Sequence, residues 1–341
     1  MRALPGLLTE TPLMTGRAGR VVAVVVTHDR LAQLRRTLVS LLKSPPRLLA
    51  AVVVVDNAST DGTRAWLASL RDPRLHVLRM ARNTGGAGGF AAGIAHARRM
   101  RNPDWVVLMD DDARPCPGTL AAFHDSALAG WDAVAGAVYL PQGGMCDMNR
   151  PSRDPFGTWQ VFLRTLLRGR EGFHLGARDY AGTQPVAVDA ASYVGLFLSR
   201  RALALGGLPD AALFVYADDM LHTLRLSRAG GRIGFFPALR FDHDTQGPGG
   251  GAPPLWKRYY KHRNSLILYR EAAGRLFWPV CAVVLPIWAA RALALRGQRR
   301  VALRLLTRAV GHGLRGKTDV THEQVQGWAQ KRRARQSRAE R

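Results

Sequence analysis

The residues with the clearest capacity for chemistry in this 341-residue chain are three consecutive carboxylates, Asp110-Asp111-Asp112. They follow the apolar run Trp105–Met109, which predicts a buried strand. Alternation along a strand places Asp110 and Asp112 on one side and Asp111 on the other. Two carboxylates on one side suit a hard divalent cation, Mg²⁺ or Mn²⁺, which could also hold a diphosphate. A solvated acidic loop is the alternative, but the buried strand and the basic chain around it favour the metal site.

Two later clusters add to this chemistry. Asp218-Asp219 lies at the start of a helix predicted over Tyr216–Arg228. Acidic residues there can simply stabilise a helix N-terminus, or one of them can act as a general base that takes a proton from a hydroxyl group. His243 is flanked by two aspartates, as surface histidines often are. Because a metal site is already predicted, we favour His243 as its third protein ligand and the Asp218-Asp219 pair as the source of a general base.

A glycine-rich segment, Asn83–Phe90, allows a ligand to approach the backbone closely. From Gly86 it matches the dinucleotide pattern G-x-G-x-x-A, so a nicotinamide oxidoreductase is an alternative. That pattern belongs directly after the first strand, however, and here it does not follow it. We therefore predict a glycine-rich loop that lines a nucleotide cleft, with Arg82 adding positive charge.

Strands and helices alternate along the first third of the chain. This order predicts an α/β domain with a mostly parallel sheet, in which ligands bind beyond the carboxyl ends of the strands. Polar clusters follow three of these strands at Thr27–Arg30, Asp56–Asp61 and Asp110–Asp112. The predicted strands are Val21–Val26, Val52–Val55, Leu75–Leu78, Trp105–Met109, Ala133–Tyr139, Val186–Val188 and Ile233–Pro237. The predicted helices are Leu31–Leu42, Thr63–Leu70, Phe90–Met100 and Trp159–Leu167, the last within a long loop over 141–182.

Composition limits the partners. The chain has 49 Lys and Arg residues against 25 Asp and Glu, a formal net charge of +24. Nucleic acid, nucleotide and acidic lipid all fit this charge. A non-catalytic nucleic-acid-binding module is therefore an alternative, but the basic residues are not interleaved with an aromatic platform, so we expect no nucleic-acid partner. The three cysteines show no metal-ligand spacing and fit a reducing cytosolic compartment.

We predict five segments. The apolar start of the chain is too short and too broken for a secretory signal. The segments are an N-terminal arm over 1–19, the α/β domain over 20–245, a flexible Gly/Pro hinge or lid over 246–254, a helical region over 255–329 and a basic tail over 330–341.

Within the helical region, residues 276–295 are almost wholly apolar. Two prolines and Arg291 interrupt the segment, which is shorter than a membrane span of about 20 apolar residues requires. We therefore favour a helix that lies in the interface of an anionic membrane, at the cytoplasmic face, pinned by flanking arginines. Burial in the protein core and a true span are the alternatives.

Four motifs occur in the order seen in glycosyltransferase family 2, which the chain resembles over about residues 20–245. The helical region adds Tyr259–Asn264, which is similar to a motif of the bacterial rhamnosyl- and galactofuranosyltransferases of that family. The four motifs are Val24–Arg30, Val54–Thr63, Arg82–Phe90 and Met109–Ala113.

This resemblance implies a GT-A fold, a nucleotide diphosphate sugar donor, a divalent metal and inversion at the anomeric carbon. UDP-galactofuranose and dTDP-rhamnose are the donors we favour, with a hydroxyl of a cell-envelope glycan or glycolipid as acceptor. A metal-dependent nucleotidyltransferase would use similar carboxylates and is an alternative. By position, the resemblance implies that Thr27, Arg30 and Asp56 hold the nucleobase and ribose, and that Asp111 faces the sugar or ribose. It also implies that Asp110 and Asp112 bind the metal and diphosphate, with His243 completing the metal site. Asp219 would be the general base, with Asp218 beside it.

The chain departs from the family pattern at one position. Relatives usually carry another acidic residue two positions after Asp219, where this chain has Leu221. The departure implies that the acceptor is recognised differently.

Overall fold

The computed structural model describes residues 18–245 and 253–330. Most of the predicted N-terminal arm, residues 246–252 of the predicted hinge and residues 331–341 of the predicted tail lie outside these ranges.

The first half of the sheet is parallel, as predicted. Strands β3, β2, β1 and β4 lie side by side in that order, and every residue of β1 and β2 is buried. Apolar runs of this kind form central parallel strands because helices cover both faces of the sheet. The elements are β1 (Val21–Thr27), α1 (Leu31–Leu42), β2 (Ala51–Asp56), α2 (Thr63–Ser69), β3 (Leu75–Arg79), α3 (Gly85–Arg101) and β4 (Trp105–Asp110).

The second half of the sheet contains both parallel and antiparallel pairs of strands. Strand β8 lies antiparallel between β4 and β6, β9 runs parallel to β6, and β5 and β7 run antiparallel to β9. The elements are β5 (Ala113–Pro115), α4 (Thr119–Asp125), β6 (Ala133–Tyr139), α5 (Trp159–Arg168), α6 (Ala177–Tyr180), β7 (Val186–Val188), β8 (Leu196–Ser199), α7 (Arg200–Leu205), α8 (Asp218–Arg228) and β9 (Ile233–His243).

Strand β9 is longer than predicted. The sequence predicts an end at Pro237, whereas the strand continues to His243. The register against β6 shifts between Gly136 and Ala137, so that Phe236 and Arg240 pair with neighbouring residues of β6. This irregularity accommodates Pro237, which has no N–H to donate to a neighbouring strand.

The glycine-rich segment is not a loop. Helix α3 begins at Gly85 and includes the glycines that the sequence predicts to lie before it. A Cβ at Gly89 or Gly93 would overlap Val26 or Val24 of β1. The glycines therefore allow the helix to pack directly on the sheet, and this close packing outweighs the low helix propensity of glycine.

Four helices follow the sheet domain. Helix α9 packs against α8, α11 and α12, while α10 packs against α9 and α11. The stretch Leu255–Leu293 is long and apolar enough to cross a membrane by length and composition, and 22% of its most apolar window is buried. A 3₁₀ turn at Gly274–Leu276 divides this stretch into two helices. The helices are α9 (Leu255–Ala273), α10 (Phe277–Leu293), α11 (Arg299–Arg315) and α12 (His322–Ala329).

Candidate active site

The carboxyl ends of three parallel strands bring the predicted site residues to one edge of the sheet. Thr27 at the end of β1 pairs in register with Asp56 of β2. On the other side of β1, Val26 pairs with Asp110, the last residue of β4. The polar clusters that follow these strands are therefore neighbours, as the sequence predicts.

Asp111 is held by two residues from the end of β1. The Thr27 hydroxyl donates to Oδ2 of Asp111 at 2.7 Å, and Nη1 of Arg30 lies 3.0 Å from its Oδ1. The same Arg30 nitrogen lies 2.7 Å from Oδ2 of Asp112. Burial raises the pKa of Asp111 to about 7, although Arg30 and Thr27 oppose the shift. In this structure Thr27 and Arg30, which the resemblance assigns to the base and ribose, contact the acidic triplet.

Asp110, Asp112 and His243 form a cluster suited to a metal ion. One ligand atom from each residue lies within 4.8 Å of the other two. His243 Nε2 lies 3.2 Å from Oδ1 of Asp112, and His243 Nδ1 lies 2.8 Å from Oδ1 of Asn149. Such a set of two carboxylates and one imidazole suits Mn²⁺ or Mg²⁺ and leaves further coordination positions for oxygen ligands. The amide of Asn149 fixes the second nitrogen of the imidazole.

The pairing of β5 with β9 places His243 beside the triplet. Ala113 pairs with His243 in the antiparallel register, and the Asp244 N–H donates to the Asp112 carbonyl at 2.8 Å. The Asp244 side chain is bound by Arg114 at 2.8 and 2.9 Å. Asp244 is thus tied to an arginine, while His243 faces the carboxylates.

The charges of this cluster perturb one another. Burial, followed by the charge of Asp112, raises the pKa of Asp110 to about 6. Burial also acts to raise the pKa of Asp112, but His243 and Arg30 bring it below its ordinary value. Burial alone would lower the pKa of His243, whereas Asp112, Cys146 and Asp110 raise it to about 10. Without a metal, His243 is therefore protonated at neutral pH.

Asp218 and Asp219 are the first two residues of α8, and the acidic triplet affects the pKa of both. Burial raises the pKa of Asp218 well above its ordinary value, with Asp219 as the next cause. Burial raises the pKa of Asp219 to about 6, against a hydrogen bond from the Met220 N–H. The charge of Asp110 contributes to both shifts. With a pKa of about 6, Asp219 is mostly ionised at neutral pH, while burial of Asp218 favours the protonated form of that carboxyl group.

The other residues predicted to bind the donor lie around the same edge. Asp56 is buried, with Oδ1 accepting from the Ser59 N–H at 2.8 Å and Oδ2 lying 3.3 Å from Arg79. Gly86 is half-buried in the first turn of α3, with no atom within 4 Å of the place a Cβ would occupy. Arg82 is exposed.

Leu221 faces the protein interior. It is buried in a small apolar cluster with Ala87 and Leu213, against Ile267 and Leu268 of α9. The position at which relatives usually carry an acidic residue therefore belongs to the packing between α8 and α9 in this chain.

Several residues near the site were not predicted as site residues. Asn149 fixes the His243 ring, and the Tyr193 hydroxyl lies 3.1 Å from Nδ1 of His222 on α8. Arg263 and Asn264 of α9 contact the turn before Asp218. The sequence motif Tyr259–Asn264 contains Arg263 and Asn264 and could have drawn attention to them, although it does not predict their contact with that turn.

Comparisons with known proteins identify similar glycosyltransferases. Residues 22–183 match the family described as Glycosyl transferase family 2. Galactofuranosyltransferase GlfT1 of Mycobacterium tuberculosis (strain H37Rv) is 33% identical over 211 residues, covering 62% of this chain and 65% of that protein. The protein of the same name from Mycolicibacterium smegmatis is 29% identical over 280 residues, covering 76% of this chain and 86% of the relative. The match thus spans slightly less than two thirds of the length of the first of these relatives.

Solved structures with lower sequence identity share the fold. The mannosyltransferase PcManGT from Pyrobaculum calidifontis, in complex with GDP-Man and Mn²⁺, superposes with a TM-score of 0.53 at 21% identity, covering 90% of this chain and 92% of that one. GalNAc-T7 with UDP, GalNAc and Mn²⁺ gives a TM-score of 0.56 at 14% identity, covering 90% and 59%. Together with the order of strands around the acidic triplet, these likenesses show that the chain has a GT-A fold. The match to glycosyltransferase family 2 covers slightly less than half of the chain.

Proposed function

We propose that the protein is a metal-dependent, inverting glycosyltransferase that moves a sugar from a nucleoside diphosphate to an acceptor hydroxyl. The observation that carries the proposal is the placement of ligand atoms of Asp110, Asp112 and His243 within 4.8 Å of one another, with the charge of Asp110 raising the pKa of Asp219. A cation site beside a buried, ionisable carboxyl group provides both a place for the diphosphate and a base for the acceptor.

The donor we favour is UDP-galactofuranose, with dTDP-rhamnose as the second candidate. Similarity to two galactofuranosyltransferases supports the first. A relative named undecaprenyl-phosphate mannosyltransferase, from Micrococcus luteus, is 31% identical over 152 residues and makes GDP-mannose a useful third donor to test.

Asp110, Asp112 and His243 would hold Mn²⁺ or Mg²⁺. When bound, the cation neutralises negative charge that develops on the leaving diphosphate. Arg30, whose side chain is 44% exposed, adds a fixed positive charge at the same place. The positive charge of Lys257 on α9 also acts to lower the pKa of Asp110.

Asp219 takes the proton of the acceptor hydroxyl as that oxygen attacks the anomeric carbon. Its pKa of about 6 leaves it ionised at neutral pH while keeping it basic enough to accept the proton. The raised pKa of Asp218 favours its protonated form, which lowers the negative charge beside the base. Attack from the side opposite the diphosphate inverts the configuration without a covalent intermediate.

The acceptor we propose is a cell-envelope glycan or glycolipid, reached from the cytoplasmic face of the membrane. The outer face of α10 supports a peripheral membrane location, since Trp278, Val283 and Ile287 are exposed there. An exposed apolar helix face of this kind is typical of contact with lipid or with another protein.

A donor panel tests the proposal. The purified chain is incubated with UDP-galactofuranose, dTDP-rhamnose or GDP-mannose, with Mn²⁺, with Mg²⁺ or with EDTA, and the released phosphate compound is identified. We expect metal-dependent release of a nucleoside diphosphate from one donor in the presence of a membrane glycolipid extract. Release of pyrophosphate would instead indicate a nucleotidyltransferase, and metal-independent turnover would remove the cation from the mechanism.

A further inference from the structure

Helix α5 exposes an unusual set of large apolar side chains. Trp159, Leu166 and Leu167 are 68%, 65% and 84% exposed, and Leu163 is 40% exposed. Their spacing places them on one side of the helix, whereas Val161 is buried on the other. The helix packs mainly against the 3₁₀ turn Gly169–Gly172 that follows it. Its apolar face therefore has no cover within the described part of the chain.

The charges around α5 are basic. The helix contains Arg164 and Arg168 but no acidic residue, and the following turn contains Arg170 and Glu171, of which Glu171 is paired with Arg150 at 2.7 Å. The charges of Arg170 and of Arg291 on α10 both lower the pKa of Lys261 on α9, after burial. The positive charges of Arg170, Arg291 and Lys261 therefore act on one another.

Helix α10 also has an exposed apolar face. Its outer face exposes Trp278, Val283 and Ile287, whereas Cys281 and Trp288 pack against the neighbouring helices. Apolar faces bordered by arginine and lysine complement the acyl boundary and the anionic headgroups of a bilayer.

We propose that α5 is a second membrane-binding element, which inserts Trp159, Leu166 and Leu167 into an anionic bilayer surface while α10 lies in the same interface. This inference deepens the peripheral location proposed above. Helix α5 begins at Trp159, after the segment that contains Asn149, which bonds the predicted metal ligand His243. Binding through α5 would bring the protein to the lipid surface, where a lipid-linked acceptor would be found.

Vesicle sedimentation tests this proposal without donor or acceptor, so its result does not depend on the glycosyltransferase activity. The full chain is mixed with vesicles of phosphatidylcholine alone or with added phosphatidylglycerol. We expect binding to the anionic vesicles, reduced by roughly tenfold or more in a Trp159→Ser/Leu166→Ser/Leu167→Ser variant. Val39→Ser, at a 51% exposed position on α1, is the matched control and should bind normally.

Two results would overturn the proposal. Equal binding of the triple variant and the wild-type chain would exclude α5 from the membrane contact. A wild-type dimer that the triple substitution converts to monomers, with no vesicle binding by either, would assign the face to a second copy of the chain. Circular dichroism of each variant checks that the fold is retained.

A separate observation concerns the turn that leads into Asp218. Phe214, Tyr216 and Ala217 all have positive φ angles, of 68°, 70° and 64°. None of them is glycine, and residues with a Cβ rarely adopt this left-handed conformation unless their surroundings impose it.

Two buried side chains of α9 hold this turn. Nδ2 of Asn264 lies 2.9, 2.8 and 2.9 Å from the carbonyl oxygens of Leu213, Val215 and Tyr216. Nη2 of Arg263 donates to the Leu213 carbonyl at 2.9 Å, and Nε of Arg263 donates to Oδ1 of Asn264 at 2.7 Å. Arg263 and Asn264 are 0% and 1% exposed.

We infer that Asn264, supported by Arg263, is a positioning residue for Asp219. The side-chain amide fixes three carbonyls in the residues directly before α8, and so determines where that helix begins and where its first two carboxyl groups lie. This inference rests on the proposed role of Asp219 as the base.

Asn264→Ala and the milder Asn264→Ser test the inference. We expect kcat to fall by roughly tenfold to a hundredfold while donor KM and metal binding change little, because the base moves and the donor site does not. Glu271→Gln is the matched control, since Glu271 joins α9 to Arg225 of α8 at 2.7 Å, far along the helix from Asp219.

The outcomes separate this inference from the proposed function. Unchanged kcat in Asn264→Ala, together with loss of turnover in Asp219→Asn, would overturn the positioning role alone. Unchanged turnover in Asp219→Asn would overturn the base assignment itself. If Asn264→Ala fails to fold, the Asn264→Ser variant supplies the comparison. An equal fall of kcat in Glu271→Gln would also overturn the positioning role, because any loosening of the contact between α8 and α9 would then have the same effect.

Discussion

Metal binding should release a proton from His243. Its pKa is about 10 in the metal-free protein, so that the imidazole carries a proton at pH 7.5. A cation binds the neutral ring, and removing the proton at that pH costs about 3–4 kcal/mol, from a gap of about 2.5 units at about 1.4 kcal/mol per unit. Below a pH of about 6, Asp110 must lose a proton as well.

The sign of the pH dependence follows from these shifts. The metal takes deprotonated ligands, so its apparent affinity falls as the pH falls. We expect a slope of about one log unit per pH unit between pH 6 and 9, and a slope approaching two below pH 6.

Titration calorimetry with Mn²⁺ measures this directly. At a fixed pH of 7.5, the observed enthalpy in buffers of different ionisation enthalpy gives the number of protons released, which should be close to one. His243→Asn should remove this release and weaken binding. Mn²⁺ binding with no proton release and no pH dependence would refute both the protonation state of His243 and its place among the ligands.

Three further predictions follow from the site. Asp219→Asn should lower kcat by roughly a hundredfold to ten-thousandfold while donor binding, followed by tryptophan fluorescence, is spared. In the metal-free and donor-free protein, carboxyl titration followed by NMR should place the Asp219 midpoint near pH 6. The midpoint of Asp72, whose pKa is lowered by its hydrogen bond with Arg74, should be well below that. An Asp219 midpoint near pH 4 would contradict the conclusion that burial raises its pKa. Gly85→Ala should destabilise the fold by at least about 1–2 kcal/mol in thermal or denaturant unfolding, because Gly85 has a φ of +71° and a Cβ would overlap the Phe214 carbonyl. Gly86→Ala is its matched control, since no atom lies within 4 Å of that Cβ, and equal stability losses at both positions would contradict the reasoning.

The sequence alone predicts the parallel half of the sheet well. β1 and α1 were predicted within one residue of their bounds, because continuous buried runs and helical spacing are strong local signals. The glycine-rich start of α3 was predicted as a loop, since glycine has a low helix propensity and its packing on Val24 and Val26 is a tertiary effect. Strand β8 was missed because only four residues, Leu196–Ser199, mark it.

The candidate site, like the fold, can be predicted only in part from the sequence. The acidic triplet and Asp219 could be predicted because they follow or begin recognisable elements. The partners that fix them could not, because the contacts join distant parts of the chain. Asn149 and His243 are 94 positions apart, and Asn264 lies 48 positions from Tyr216. No local pattern encodes such pairs, which arise only when the elements pack.

The central claim is that Asp110, Asp112 and His243 hold a divalent cation against the diphosphate of a nucleotide. A crystal of the protein grown with Mn²⁺ and UDP tests it most directly, because anomalous scattering locates manganese without reference to the protein coordinates. We predict one strong anomalous peak bonded to those three side chains and to phosphate oxygens of the nucleotide. UDP bound at this edge of the sheet with no manganese at the three residues would contradict the claim.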